Sequence, residues 1–329
     1  MNELLVGLIG ALLATNQLAA VSNIVEKTLG PGIVVPDPND PVEKEFKGVM
    51  DADDAAQAEV DEWIQTNDRF AARGAGVPNA ELNQRILARF ETVRKGYEDF
   101  LLRHTNHARA HLAYAGFLQD IHEEHDAVPH FKKALELDPR NPAIWNNLAN
   151  YYGHYGEVKQ AFEYYPKAIA LNTNEPMYYQ NFATTVYLFR RDAMEYFNIN
   201  EQQVFDKALA LYAKALELSP RDFLLAEDVA QSYYGIRPLR TNAAFLAWTN
   251  AFTLARDDIE REGVQIHLAR LNWLVGRTNQ AGIHLNAVTN EMYAFVKATL
   301  VRNLTNAPPD RSKAWSSIPE QPKAAAKVE

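Results

Sequence analysis

Apolar residues recur every three or four positions along most of the chain, which is the spacing of one face of an α-helix. Strand-like alternation is almost absent from the sequence. The best candidate strand, Gly32–Val35, is flanked by Pro31 and Pro36, and proline favours an extended linker there. The pattern therefore predicts an all-α protein. One predicted helical stripe consists of Phe90, Val93, Tyr97, Phe100 and Leu101.

The helical pattern repeats with a period of 34 residues when residues 108–141 are placed over 142–175. His122 then falls on Gly156, where we expect the turn between two helices. Small residues let antiparallel helices approach, and a single pair cannot bury its apolar face, so we expect the pairs to stack. The matched positions are Tyr114 with Leu148, Ala115 with Ala149, Leu118 with Tyr152, Ala127 with Ala161, Phe131 with Tyr165, and Ala134 with Ala168.

This order of large, small and aromatic residues resembles the tetratricopeptide repeat family. The resemblance implies a right-handed α-solenoid of stacked antiparallel helix pairs, with about five repeats over 108–302. The third repeat carries an insertion near 190–201, and Pro129 and Pro166 fall unexpectedly inside second helices. The family motif is matched in the second repeat by Trp145, Leu148, Ala149, Tyr152, Gly156, Ala161, Tyr165 and Ala168.

In the resembled family, the first helix of each repeat lines a concave face that binds extended peptides or partner helices. Asn and Gln there can bond a peptide backbone as donor and acceptor. The Lys and Arg that clamp a terminal carboxylate in some family members are missing beside Asn146 and Asn150. The amides would suit a solvent-facing surface equally well, and the aromatic residues would suit inward packing. The predicted binding residues are Asn146, Asn150, Gln180, Thr184, Tyr187, Glu227, Gln231, Tyr234, Arg270 and Trp273.

The N-terminal segment, residues 1–30, is apolar and carries no charged side chain over 4–25. Three interpretations stay open. A packed helical hairpin would break at Thr15–Asn16. A signal peptide could be cleaved after Ala20–Ser22, although no basic residue precedes it. A membrane span is long enough, but would place polar residues in mid-bilayer. The compartment therefore stays open between export (periplasmic or extracellular) and the cytoplasm.

Composition also changes along the rest of the chain. Residues 31–41 hold four prolines and are expected to form an extended spacer of roughly 30 Å. Residues 42–107 are predicted to be helical and to include a divergent half repeat. Residues 303–329 are rich in proline and poor in hydrophobic residues, which predicts a disordered tail.

Charge and chemistry narrow the classes of function. The chain has 33 Lys plus Arg against 42 Asp plus Glu, a net charge of −9 that disfavours nucleic-acid binding. It has no cysteine, which excludes disulfides and thiol chemistry. The spacing of His122 and His125 does not match a helical zinc site, and no phosphate-binding or nucleophile motif is found. We therefore expect no catalytic residues, metal or cofactor.

Two hypotheses about function follow. The first is a non-enzymatic scaffold that binds a peptide or partner protein in the groove of the repeats. The second is a self-assembling subunit, in which the N-terminal segment docks on a neighbouring solenoid and builds an oligomer or filament. In both, the expected partner is a protein or peptide, including another copy of the chain. A nucleic acid or a membrane is not expected.

Overall fold

A computed structural model of the protein describes residue 37 and residues 39–305. The predicted N-terminal segment, most of the spacer and nearly all of the predicted tail lie outside these residues. Fourteen α-helices and no strand are found in the described part, so the all-α prediction is confirmed there. The helices are α1 Pro41–Ala71, α2 Asn79–Arg103, α3 Ala108–Asp120, α4 Glu124–Leu137, α5 Pro142–His154, α6 Val158–Leu171, α7 Pro176–Leu188, α8 Arg190–Phe197, α9 Glu201–Leu218, α10 Phe223–Ser232, α11 Thr241–Leu254, α12 Asp258–Leu274, α13 Thr278–Asn286 and α14 Ala294–Asn303.

The helices group into two compact bodies. Lobe 1 comprises the described residues up to Tyr152 together with Glu163–Asn174, and lobe 2 comprises Gly153–Phe162 together with the residues from Glu175 onwards. No described helix combines the length and hydropathy needed to cross a bilayer.

Lobe 1 begins with a long helix that packs on its successor. The Asp40 side chain accepts a hydrogen bond from the backbone N–H of Val42, and Pro41 occupies the first helical position, so the sequence itself starts α1. The stripe predicted on α2 is buried apart from its half-buried first member, Phe90. Tyr97 on this stripe donates a 2.7 Å hydrogen bond to Asp53 Oδ2 on α1. The pair is therefore joined by apolar packing and by polar contacts, which include Arg89 Nε donating to Glu59 Oε2 at 2.8 Å.

The next pair, α3 with α4, shows how the repeat folds. Ala115, Ala127 and Ala134, which the period matched with alanines of the next repeat, are completely buried. Because these residues are small, the two helix backbones come close together. The helix pairing expected from the period is confirmed.

Lobe 2 contains the α7/α9, α10/α11 and α12/α13 pairs. The insertion in the third repeat forms α8, and its Phe197 ring lies 5.2 Å from the ring of Phe162. The α10/α11 pair surrounds Trp248, which is fully buried together with Ala230 and Ala251. Leu300 of α14 belongs to a second buried cluster, which includes Ile266 and Ala269 of α12. The insertion is therefore a helix whose half-buried Phe197 packs on the core residue Phe162.

The turn between α3 and α4 carries a backbone conformation that its side chain disfavours. His122 has φ +63°, close to φ +88° at Gly156, the residue it matches across the period. The Glu123 N–H bonds to the Leu118 carbonyl at 2.8 Å, which is the pattern of a glycine-type helix end.

We expect His122→Gly to raise the free energy of unfolding by about 1 kcal/mol, because the left-handed conformation strains a residue with a Cβ atom. The side chain of His122 is 90% exposed, so its removal costs little packing. Urea unfolding measures the change. Gly156→Ala is the matched control and should change stability in the opposite direction. A His122→Gly variant no more stable than the wild type would contradict this account.

Two prolines lie inside helices, as the sequence suggested. Pro129 lies in α4 and Pro166 in α6, and both helices continue through them. Each proline lacks an N–H and removes one bond to the carbonyl four residues earlier. Both residues are exposed, so neither is held in place by core packing.

Pro129→Ala is expected to stabilise the protein by about 1–3 kcal/mol, because alanine restores the missing hydrogen bond. Thermal unfolding should show a higher midpoint. Pro176→Ala is the control, since Pro176 is the first residue of α7, where a helix does not need the N–H. Equal shifts of the unfolding midpoint in the two variants would contradict this explanation.

Candidate binding face

The first helices of lobe 2, together with the 3₁₀ turn after α10, carry eight of the ten predicted binding residues. Gln180, Thr184 and Tyr187 are on α7, Glu227 and Gln231 on α10, Tyr234 in the 3₁₀ turn after α10, and Arg270 and Trp273 on α12. We call the set Gln180, Thr184, Glu227, Gln231, Tyr234 and Arg270 the first-helix face.

Side chains connect neighbouring helices along this face. The Gln180 Nε2 donates to Asp228 Oδ2 at 2.8 Å, which joins α7 to α10. The Tyr234 hydroxyl donates to the backbone carbonyl of His267 at 3.0 Å, which joins the end of α10 to α12. The Arg270 guanidinium lies over the Tyr234 ring, 4.6 Å from its centre. The face is therefore a connected polar surface across three helices.

Thr184 and Tyr187 also contact the second helix of their own pair. Thr184 Oγ1 and the Tyr212 hydroxyl lie 2.8 Å apart, and the Tyr187 ring lies 6.0 Å from that of Phe205. The Tyr187 hydroxyl lies against Gly235, where a Cβ atom would fall only 1.8 Å from the hydroxyl oxygen. A side chain at position 235 would therefore displace the Tyr187 ring.

The middle of the face is acidic. Glu227 is half-buried, and burial together with the neighbouring Asp228 and, more weakly, Glu260 raises the pKa of its carboxyl. Gln231 bonds to the same carboxyl and is itself exposed. The charged groups acting on Glu227 are thus both acidic, so this part of the face suits a hydrogen-bond donor or a cation.

Stacked aromatic rings support the other end of the face. The His267 ring lies parallel to the fully buried Trp248 ring at 4.1 Å, and Tyr234 packs 5.9 Å from both. Burial, assisted by the nearby Arg270 charge, lowers the pKa of His267 to about 4. His267 is therefore neutral at pH 7, and the exposed Arg270 is the cation at this end.

Lowering the pH from 7 to 5 is expected to cost the wild type about 2 kcal/mol of stability through His267. Its folded-state pKa lies below the unfolded value, so the unfolded chain takes up the proton first and stability is lost as pH falls. His267→Phe keeps the stacked ring and removes the titration. Its free energy of unfolding should therefore fall less over this range. His130, whose pKa is also lowered by burial, contributes equally to both proteins. Identical pH slopes would refute the assignment.

The other two predicted residues lie in lobe 1. Asn146 is only 3% exposed, and its Nδ2 lies 3.4 Å from Asn147 Oδ1. Asn150 is half-buried, and its Oδ1 accepts a 2.8 Å hydrogen bond from the Tyr165 hydroxyl. Both asparagines thus take part in packing within lobe 1, and the structure does not group them with the first-helix face.

Histidines in lobe 1 form a pair rather than a larger cluster. His111 and His130 approach Nδ1 to Nδ1 at 2.9 Å, and His111 Nε2 bonds to the Thr105 carbonyl at 3.0 Å. Both ring nitrogens of His111 are therefore engaged. In residues 37 and 39–305, no group of three or more His, Asp or Glu side chains could hold a metal ion.

Sequence reasoning missed a cavity of about 620 Å³ in lobe 1. It lies between the first turns of α1, the start of α3 and the turn that joins α4 to α5. Leu112 lies on the first helix of the first repeat, but nothing in the repeat pattern indicates a cavity beside it. The opposite wall comes from α1, which precedes the repeats.

Comparisons with known proteins agree with this architecture. A tetratricopeptide repeat family model matches residues 130–163. The structure of PilW, a widely conserved type IV pilus biogenesis factor, is 15% identical with a TM-score of 0.52, over 74% of this chain and 98% of that chain. PilF of Pseudomonas aeruginosa is 17% identical with a TM-score of 0.50, over 78% and 99%. Such likenesses show the fold alone, an all-α solenoid of helix pairs. No curated protein sequence matches the chain significantly.

Proposed function

Since this chain is a tetratricopeptide repeat protein, we propose that it is a non-catalytic scaffold that binds an extended peptide or a partner protein on the first-helix face of lobe 2. The observation that carries the proposal is the pair of contacts that connects this face across α7, α10 and α12. These contacts are Gln180 with Asp228 and Tyr234 with His267. First helices of stacked repeats present extended binding surfaces of this kind.

The residues of the face suggest how the ligand is held. Gln231 and Arg270 are exposed and offer an amide and a guanidinium. Met177 and Leu224, each the second residue of its helix, are 56% and 58% exposed and offer apolar contacts. Amides bond a peptide backbone whatever its sequence, whereas the apolar and charged groups select side chains. The ligand that fits best is an extended peptide with alternating apolar and polar side chains.

Peptide selection followed by calorimetry tests this proposal. A display library is selected against the full chain, and the affinity of the selected peptide is measured for Gln231→Ala and Arg270→Ala. We expect each variant to bind about 5- to 30-fold more weakly, which is the cost of losing an interface contact worth 1–2 kcal/mol. Leu246→Ala is the control, because Leu246 is 72% exposed on the second helix α11.

Two outcomes would show that the selected peptide does not bind on the first-helix face. A selected peptide that binds the Gln231→Ala, Arg270→Ala double variant as tightly as the wild type does not use the first-helix face. If Leu246→Ala weakens binding as much as the other variants, the ligand lies on the second helices instead.

Self-assembly is the second candidate function, and the uncharged stretch 4–25 favours it. The spacer could carry the N-terminal segment to a neighbouring copy. If the rotation between copies does not close, such a head-to-tail contact builds a filament. The cross-linking experiment below distinguishes a segment that reaches another copy from one that stays on its own molecule.

A further inference from the structure

The cavity of lobe 1 has an apolar wall. Phe46 and Met50 of α1 face it together with Leu112 of α3 and Leu137 at the end of α4. Its volume of about 620 Å³ lies within the usual range for binding sites. A space of this size against apolar side chains would otherwise hold water, so an apolar occupant would be favoured.

Two charged groups beside the cavity are paired with each other. Arg109 Nη1 donates to Glu43 Oε2 at 2.6 Å and also lies over the Phe46 ring. These two charges therefore neutralise each other, and Asp138 is the one lining carboxylate outside this pair. A charged ligand would gain little from the Glu43–Arg109 pair.

One buried donor at the cavity has only a long contact with an acceptor. The Ala110 N–H donates to His107 Nδ1 at 3.0 Å, so the neutral ring carries its proton on Nε2. This Nε2 is buried and has no well-formed hydrogen bond among the described residues, although Glu43 Oε1 lies 3.4 Å away. Burial lowers the pKa of His107, which keeps the ring neutral. A carbonyl oxygen of an occupant would satisfy this donor.

The cavity lies beside the start of the first described helix. The helix α1 begins at Pro41, and Glu43 and Phe46 in its first two turns line the space. Residues 4–25, which carry no charge, are joined to α1 by residues 26–40, which include the proline-rich spacer. A tether of this length that reaches the cavity would give an effective concentration near the millimolar range. The sequence thus supplies a segment of matching chemistry within the same molecule.

We propose that apolar side chains of residues 4–25 dock in the lobe 1 cavity of their own molecule, against Phe46, Met50 and Leu112. Docking covers these side chains and the apolar wall, and competes with contacts to neighbouring copies. This inference does not depend on peptide binding by lobe 2.

Engineered cysteines test the proposal, because the chain contains none of its own. Leu12→Cys is combined with Ala113→Cys, which lines the cavity, in the full chain whose intact mass is checked. The control combines Leu12→Cys with Ala58→Cys, an exposed position on α1 about 12 Å beyond Met50 and within reach of the tether. In dilute protein under mild oxidation, we expect the cavity pair to form an intramolecular disulfide at least about tenfold faster than the control.

Two results overturn the proposal. Equal rates for the two pairs would mean that the segment does not prefer the cavity. Disulfide-linked dimers in place of cross-linked monomers would mean that the segment docks on another copy, as in the self-assembly hypothesis.

Hydrogen exchange supplies a second measurement that needs no cysteine. Deletion of residues 1–30 should speed amide exchange at the start of α3, where the wall of the cavity would be exposed, and leave α12 unchanged. Unchanged exchange at α3 would also overturn the proposal.

Discussion

The close approach of paired helices at alanine is the constraint on which the rest of the structure depends. Ala115, Ala127 and Ala134 are completely buried in lobe 1, as are Ala230 and Ala251 in lobe 2. Larger side chains at these positions would push the helices apart. The stacked pairs, and the surface that their first helices present, would then lose their geometry.

The same constraint explains why the repeats could be predicted from the sequence. Alanine and aromatic residues at a fixed period specify where two helices meet, and even the special turn at His122 was located by its match with Gly156. The insertion was also located, but not its role. Nothing in a repeat motif indicates that Phe197 of α8 packs on Phe162 and Phe182. Non-repeating contacts of this kind are decided by packing that local sequence does not encode.

Each candidate site could likewise be predicted from the sequence only in part. The positions on α7, α10 and α12 follow from repeat register, but their partners do not. Asp228 and His267 become part of the face only because neighbouring helices bring them to Gln180 and Tyr234. The burial of Asn146 was equally invisible in the sequence. The cavity of lobe 1 could not be predicted, because one of its walls comes from α1, which lies outside the repeats.

The two surfaces differ in chemistry, and this difference bears on specificity. The first-helix face of lobe 2 combines amides, carboxylates and one cation, and an uncharged apolar segment would take water from these groups without offering hydrogen bonds in return. The lobe 1 cavity has an apolar wall and a self-neutralised pair of Glu43 and Arg109, so a charged peptide would gain little from it. By this chemistry, a tethered apolar segment would select the cavity and would leave the first-helix face to other ligands. Because the desolvation of polar groups is costly, the chain would then carry its own apolar segment without blocking the proposed binding face.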